Sequence, residues 1–299
     1  MVFSGCEVGL GAGSQEGSAS LLVTRDYGSE VLVDEKLDDL AKSGNTIRVL
    51  DDNAEVETRY GGGFVQSVDG LEGGTPNGRS FDWFFAVNGI VSEIGGAEFP
   101  VNAGDQVWWD YRDWTDAMEI GAVVGAFPAP MAGGYNGNEW PVSIECLDSA
   151  TACERVRDLL GEAGIDATIS VKGLQPSDDT LRFVVGTWDR VGADPDAGRL
   201  GSGPRASGIF ARFKFADGTN NLIGLDQEGD QAENFGPDAG LVAASRRGEG
   251  APAWFVTGGS EAGVEAAASA LTTSDLEHRY AAAVKDGRVT SLPVPEPRL

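Results

Sequence analysis

The stretch Gln106-Val107-Trp108-Trp109-Asp110-Tyr111 reads as a β-strand with two demanding faces. Side chains alternate along a strand, so Val107, Trp109 and Tyr111 share one face and Gln106, Trp108 and Asp110 the other. A single sheet face needs only part of this set for a core. Two adjacent tryptophans point in opposite directions, so one of them either packs on a second layer of protein or stands open as a binding surface. Upstream, Trp83-Phe84-Phe85-Ala86-Val87 is a second strongly apolar strand, closed by the hairpin-type turn Asn88-Gly89. Tyr60, Phe64, Trp83, Phe85, Trp109, Tyr111 and Trp114 therefore concentrate in one region.

The rest of that region fits a small sheet. Residues 19–24 and 30–33 read as strands around Asp26-Tyr27-Gly28-Ser29, and residues 56–60 and 64–68 as a hairpin around three glycines. Asn45 or Thr46 caps a short helix, with Ile47 and Leu50 facing inward and Val49 as a further candidate. One helix among several short strands predicts an α+β domain with a curved sheet over residues 19–128. Residues 129–139 are rich in Pro, Gly and Asn and read as a linker.

Residues 140–293 alternate differently. Strands at 142–146, 167–171, 181–185, 207–215, 222–225, 241–244, 254–257 and 281–284 are interleaved with amphipathic helices at 149–163 and 260–271. Asp148 or Ser149 caps the first helix and Ser260 the second. This pattern predicts an α/β layered domain, followed by a Pro-rich tail at 294–299.

Three cysteines need an account. Cys146 and Cys153 flank a strand-to-helix turn that brings them within bridging range, so a structural disulfide is expected, with free thiols as the alternative. Cys6 follows Phe3-Ser4-Gly5 and precedes a Gly/Ser/Glu-rich stretch. That arrangement resembles the end of a bacterial lipoprotein signal, which implies a chain beginning inside its signal peptide, a lipid on Cys6 and a flexible tether over residues 1–18.

With 47 acidic against 22 basic residues, the net charge is −25, which repels phosphate backbones and excludes nucleic-acid binding. No apolar run approaches the roughly 18 residues of a spanning helix. The single histidine, His278, lies in a charged segment. No Gly-x-Ser-x-Gly elbow, phosphate loop or His-Glu-x-x-His motif is present, so no enzyme, no metal site and no catalytic residue is expected.

The order Trp83-Phe84-Phe85-Ala86-Val87-Asn88-Gly89, then Phe99-Pro100-Val101-Asn102-Ala103-Gly104-Asp105-Gln106-Val107-Trp108-Trp109-Asp110-Tyr111, resembles the transcobalamin-like C-terminal domain family, a β-grasp-type module. The resemblance covers residues 19–124. It implies a surface lipoprotein on the extracellular face of the bacterial cytoplasmic membrane, held through its lipid anchor only. Such a protein captures a cobalamin-like, flat ligand for a membrane importer. The groove would lie beside Tyr60, Phe64, Trp83, Phe85, Trp109, Tyr111 and Trp114, with Asn88 and Asp110 orienting polar edges. The alternative is a structural or adhesive surface protein that binds polysaccharide or another protein on a flat aromatic platform.

Overall fold

The computed structural model describes residues 17–38, 44–171 and 178–295, and the chain is a mixed α/β protein with several sheets and few helices. Cys6, most of the expected tether and the last residues of the expected tail lie outside the described residues.

The N-terminal part contributes β1 (Ala19–Arg25), β2 (Glu30–Leu37), β3 (Val56–Arg59), β4 (Phe64–Val68), β5 (Leu71–Glu72), β6 (Phe81–Val87), β7 (Ile90–Val91) and β8 (Gln106–Asp113). Five of these form a mixed sheet in the order β2-β1-β8-β6-β7, and β3-β4-β5 form a second, three-stranded sheet. Strand β8 is central, parallel to β1 and antiparallel to β6. The turn between β6 and β7 has both central residues at positive φ, Asn88 at 51° and Gly89 at 76°, the geometry that matches hairpin twist. The helix Thr46–Asp51 is capped by Asn45, whose side chain accepts from the Arg48 amide at 2.9 Å.

The C-terminal part contributes β9 (Val142–Cys146), β10 (Ala167–Val171), β11 (Leu181–Thr187), β12 (Ala211–Ala216), β13 (Thr219–Leu225), β14 (Gln231–Gly236), β15 (Gly240–Ser245), β16 (Ala253–Gly258), β17 (Ala281–Lys285) and β18 (Arg288–Leu292). Seven of them form one sheet in the order β10-β9-β11-β16-β15-β17-β18, and β12-β13-β14 form another. Strands β9, β10, β11 and β16 run parallel, and β15, β17 and β18 add an antiparallel edge. Every residue of β15 and β16 is buried, as expected of strands covered on both faces. One face carries the helices Ala150–Glu162 and Glu261–Ser269 over Ile144, Phe183, Trp254 and Val256. The other face presents Val184, Leu241, Ala243 and Phe255 to β13 and to Tyr27 and Trp108 of the N-terminal part.

Several expectations shift. Residues 129–139 do not hang free as a linker. Tyr135 packs on Phe99 of the N-terminal core, and Met131 packs against the core under the two helices. The strand expected from 207 starts only at Ala211, because Pro204 opens a helical turn that Gly208 ends at φ 71°. Ser149 occupies the cap position but makes no cap bond, while Asp148 accepts from the amide and hydroxyl of Thr187. Ser260 does cap its helix, accepting from the Gly263 amide.

Cys146 and Cys153 are joined by a disulfide, with Cα atoms 5.8 Å apart. The bond ties the end of β9 to the first turn and a half of the following helix. Closing so short a loop restricts the unfolded chain modestly, so Cys146→Ser with Cys153→Ser should cost about 2 kcal/mol in denaturant unfolding. An unchanged midpoint would contradict a structural role for the bond.

Candidate functional site

The alternation of β8 decides where its side chains go. Trp109 and Tyr111 enter the N-terminal core with Trp83, Phe85, Phe99 and Val107. Phe85 stacks at 4.7 Å on Trp109, and Trp83 lies 5.4 Å from Tyr111. The Trp83 indole donates to the Leu71 carbonyl and the Tyr111 hydroxyl to that of Glu72. All four rings are buried in a continuous interior. The expected groove beside Trp83, Phe85, Trp109 and Tyr111 is therefore not there, because sheet, helix and the β3-β4-β5 layer use those faces for packing.

The remaining members of the expected groove scatter. Tyr60 and Phe64 form an edge-to-face pair at the tip of the β3-β4 hairpin, with Tyr60 89% exposed. Trp114 is half-buried and donates to Asp82. Asn88 is not available to a ligand. Its amide donates to Asp105 and to the Gly134 carbonyl, and its oxygen accepts from the Gln106 amide.

The opposite face of β8 carries Trp108, Asp110 and Arg112, and it is the seam between the two parts of the chain. Trp108 lies 5.2 Å from Tyr280, and Tyr27 contacts both Phe210 at 4.9 Å and Tyr280 at 5.1 Å. Asp110 sits at the centre. It accepts from the Thr24 hydroxyl at 2.5 Å, the Tyr280 hydroxyl at 3.0 Å, and the amides of Tyr27 and Gly28 at 3.2 Å each. Register places Thr24 directly beside Asp110 in the parallel β1-β8 pair. The Trp108 indole donates in turn to Thr24. Gly28 is required here, since a Cβ at this φ of 80° would meet the His278 carbonyl at 2.1 Å.

Burial pushes the Asp110 carboxyl up to about 6, an effect that the Thr24 bond and the charge of Arg112 reduce. Burial likewise raises the Tyr27 and Tyr280 hydroxyls, which stay protonated donors.

Arg112 is fully buried, and none of its three guanidinium nitrogens has a hydrogen-bond partner. Its guanidinium lies 4.1 Å over the Phe84 ring, with Tyr27 and Tyr280 at 5.7 and 5.6 Å. Phe84 and Arg112 line a cleft of about 500 Å³ between the two parts of the chain. Its walls are Val91, Ser92 and Glu93 after β6, the segment from Met118 to Gly121, and Arg199, Arg246 and Arg247 from the C-terminal part. An ion-pair chain braces the seam elsewhere: Arg79 bonds Asp113 and Asp116 within the N-terminal part, and Arg205 of the C-terminal part bonds the same Asp116 at 2.7 Å. His278 lies apart, in a larger and more open cleft with Arg25, Glu30 and Arg279.

The sequence reading missed Arg112 and Tyr280. The signal was present in the alternation, which continues from Asp110 to Arg112, but the strand was expected to end at Tyr111 and runs to Asp113.

Residues 45–113 match the model of a domain of unknown function, DUF4430. The DUF4430 match opens at the helix cap and closes at the end of β8, so it includes Phe84, Asp110 and Arg112 and spans less than a quarter of the chain. No curated protein matches the chain. A solved structure from Ruminococcus gnavus ATCC 29149, provisionally described as metal-binding, is similar over 33% of this chain and 98% of its own, at 17% identity and a TM-score of 0.27. Among the described residues, no group of three or more His, Cys, Asp or Glu is arranged to hold a metal ion.

Two outcomes test the assignment of faces. Trp109→Ala should destabilise the protein by about 3–5 kcal/mol, as removal of a core ring does. A loss under 1 kcal/mol in chemical denaturation would place Trp109 outside the core. For Asp110, the folded pKa lies above the unfolded one, so the folded state keeps a proton that the unfolded chain releases between about pH 4 and 6. The contribution is greatest below that window and falls by roughly 3 kcal/mol as pH rises through it. The stability gap between wild type and Asp110→Asn should therefore narrow from pH 4 to pH 7. A gap that is constant or widens would refute the buried, proton-holding carboxyl.

Proposed function

We propose that the protein is a binding protein of the cell exterior that captures a small molecule in the cleft between its two parts, without turning it over. The observation that carries this reading is the cleft itself: a concave site at the seam, in which one aromatic ring, Phe84, stands among polar and charged side chains. The Cys146–Cys153 disulfide is compatible with an oxidising compartment. The sole histidine lies in a different cleft, which favours capture over acid–base chemistry at this one.

The finer assignment follows from the resemblance of residues 19–124 to the transcobalamin-like C-terminal family. In this reading the N-terminal part is a β-grasp-type module, Cys6 carries a lipid, and the guest is a corrinoid-like cofactor passed to an importer. The guest does not stack on Trp83 or Trp109, which are core residues. It docks at the seam, and a corrin macrocycle, larger than the cleft, inserts only an edge against Phe84 and Met118.

Calorimetric titration of the full chain with cyanocobalamin tests the proposal. Saturable heat is expected, and Glu119→Trp, on the exposed cleft rim, should remove it while leaving the melting temperature in place. Absence of heat and of any thermal shift at millimolar ligand would overturn corrinoid capture.

A further inference from the structure

Among the described residues, two buried arginines lie in β-strands, Arg112 and Arg182, and they are treated differently. Arg182, in β11, bonds three carboxylates: Glu145 at 3.2 Å, Asp194 at 2.9 Å and Asp196 at 3.2 Å. That is the usual arrangement for a charge taken out of water. Arg112 is more deeply buried and has no acceptor for any guanidinium nitrogen. The rings of Phe84, Tyr27 and Tyr280 attract its charge, and the Tyr27 hydroxyl interacts with it without completing a well-formed hydrogen bond. Asp110 lowers the electrostatic cost from the same strand face, yet its own lone pairs are spent on Thr24, Tyr280, Tyr27 and Gly28.

A second observation points the same way. The cleft above Arg112 is also lined by Arg199, Arg246 and Arg247, against Glu93 and Glu119. Four arginines thus face two glutamates, in a chain whose acidic residues outnumber basic ones 47 to 22. Arg247 is paired with Asp196 and the Arg246 Nε donates to the Gly250 carbonyl, so the strand end that presents them is fixed in place.

We propose that this cleft is an oxyanion site, built for the carboxylate or phosphate group of a small molecule, with Arg112 as its buried cation. A guanidinium seated over a ring spends no N–H bond on it and keeps its fork for two parallel N–H···O bonds, the geometry both oxyanions accept. Arg199, Arg246 and Arg247 draw the anion in against the negative field of the surface. Solvent does not reach the guanidinium. Entry therefore requires a lip side chain to move, and Met118, unbranched and 63% exposed at the rim, is the residue able to do so. The site is the same cleft that the capture reading uses, but it does not depend on the guest being a corrinoid.

The test is a thermal-shift and calorimetric titration of the full chain with inorganic phosphate, succinate and chloride at constant ionic strength. Saturable stabilisation by phosphate or succinate, but not chloride, is expected, and whichever of the two binds more tightly names the group. Arg112→Met, which keeps the stem and removes the charge, should weaken binding roughly tenfold to a hundredfold. Arg199→Gln provides a variant at the half-buried rim if Arg112→Met fails to fold, and should weaken binding severalfold. Equal responses to all three salts, or undiminished phosphate and succinate binding in a folded variant, would overturn the site. Failure here with cyanocobalamin binding intact removes only the oxyanion site. Oxyanion binding without cyanocobalamin binding removes only the corrinoid guest.

Discussion

The structure depends on what the second face of β8 is made to cover. One face of the strand builds an ordinary core with Trp109 and Tyr111. The other offers a tryptophan, a carboxylate and a guanidinium, whose burial is costly unless partners offset it. The chain answers by folding its C-terminal part onto that face. Tyr280, the residue before β17, lies against β8, and its hydroxyl closes the hydrogen-bond shell of Asp110. Tyr27 fills the space between Phe210 and Tyr280 from the turn after β1. The segment after β8 then threads the gap. The Val123 amide bonds the Gly89 carbonyl on one side, and the Val124 amide bonds that of Tyr280 on the other. Two sheets that could each bury one face alone are thereby welded through a shared interior.

That weld also creates the cleft. Phe84 and Arg112 belong to the N-terminal sheet, whereas Ser245, Arg246 and Arg247 come from the end of β15 and the turn after it. Neither part has the site by itself. Placing an unpaired cation at the base of a wall shared by both parts makes the relative position of the sheets a binding parameter. A guest that satisfies Arg112 therefore also tightens the seam, by simple linkage between ligand and folded state.

Much of the architecture was legible from local pattern. The turn at Asn88-Gly89, the caps at Asn45 and Ser260, and the alternation of β6 and β8 are short-range features that propensity and period report directly. The polar strand β14 was missed because four of its first residues are exposed and carry no apolar signal. The site was misplaced for a different reason. Alternation tells which rings share a face, but not which face meets another layer, and the aromatic cluster was assigned to a ligand that packing had already displaced. The two-sided burial of Trp108 and Trp109 was weighed as one of two outcomes, and the seam realises the packing one. Tyr280 is 170 residues from its partner Asp110 and lay beyond any local rule.

The two sheets form one cooperative unit because the seam is part of the core of both. Differential scanning calorimetry of the full chain tests this most directly. A single transition, with equal calorimetric and van't Hoff enthalpies, is the result the shared interior predicts. Two resolved transitions, one surviving after the other has melted, would show that each sheet stands alone and that the Asp110–Tyr280 seam is only a contact between independent domains.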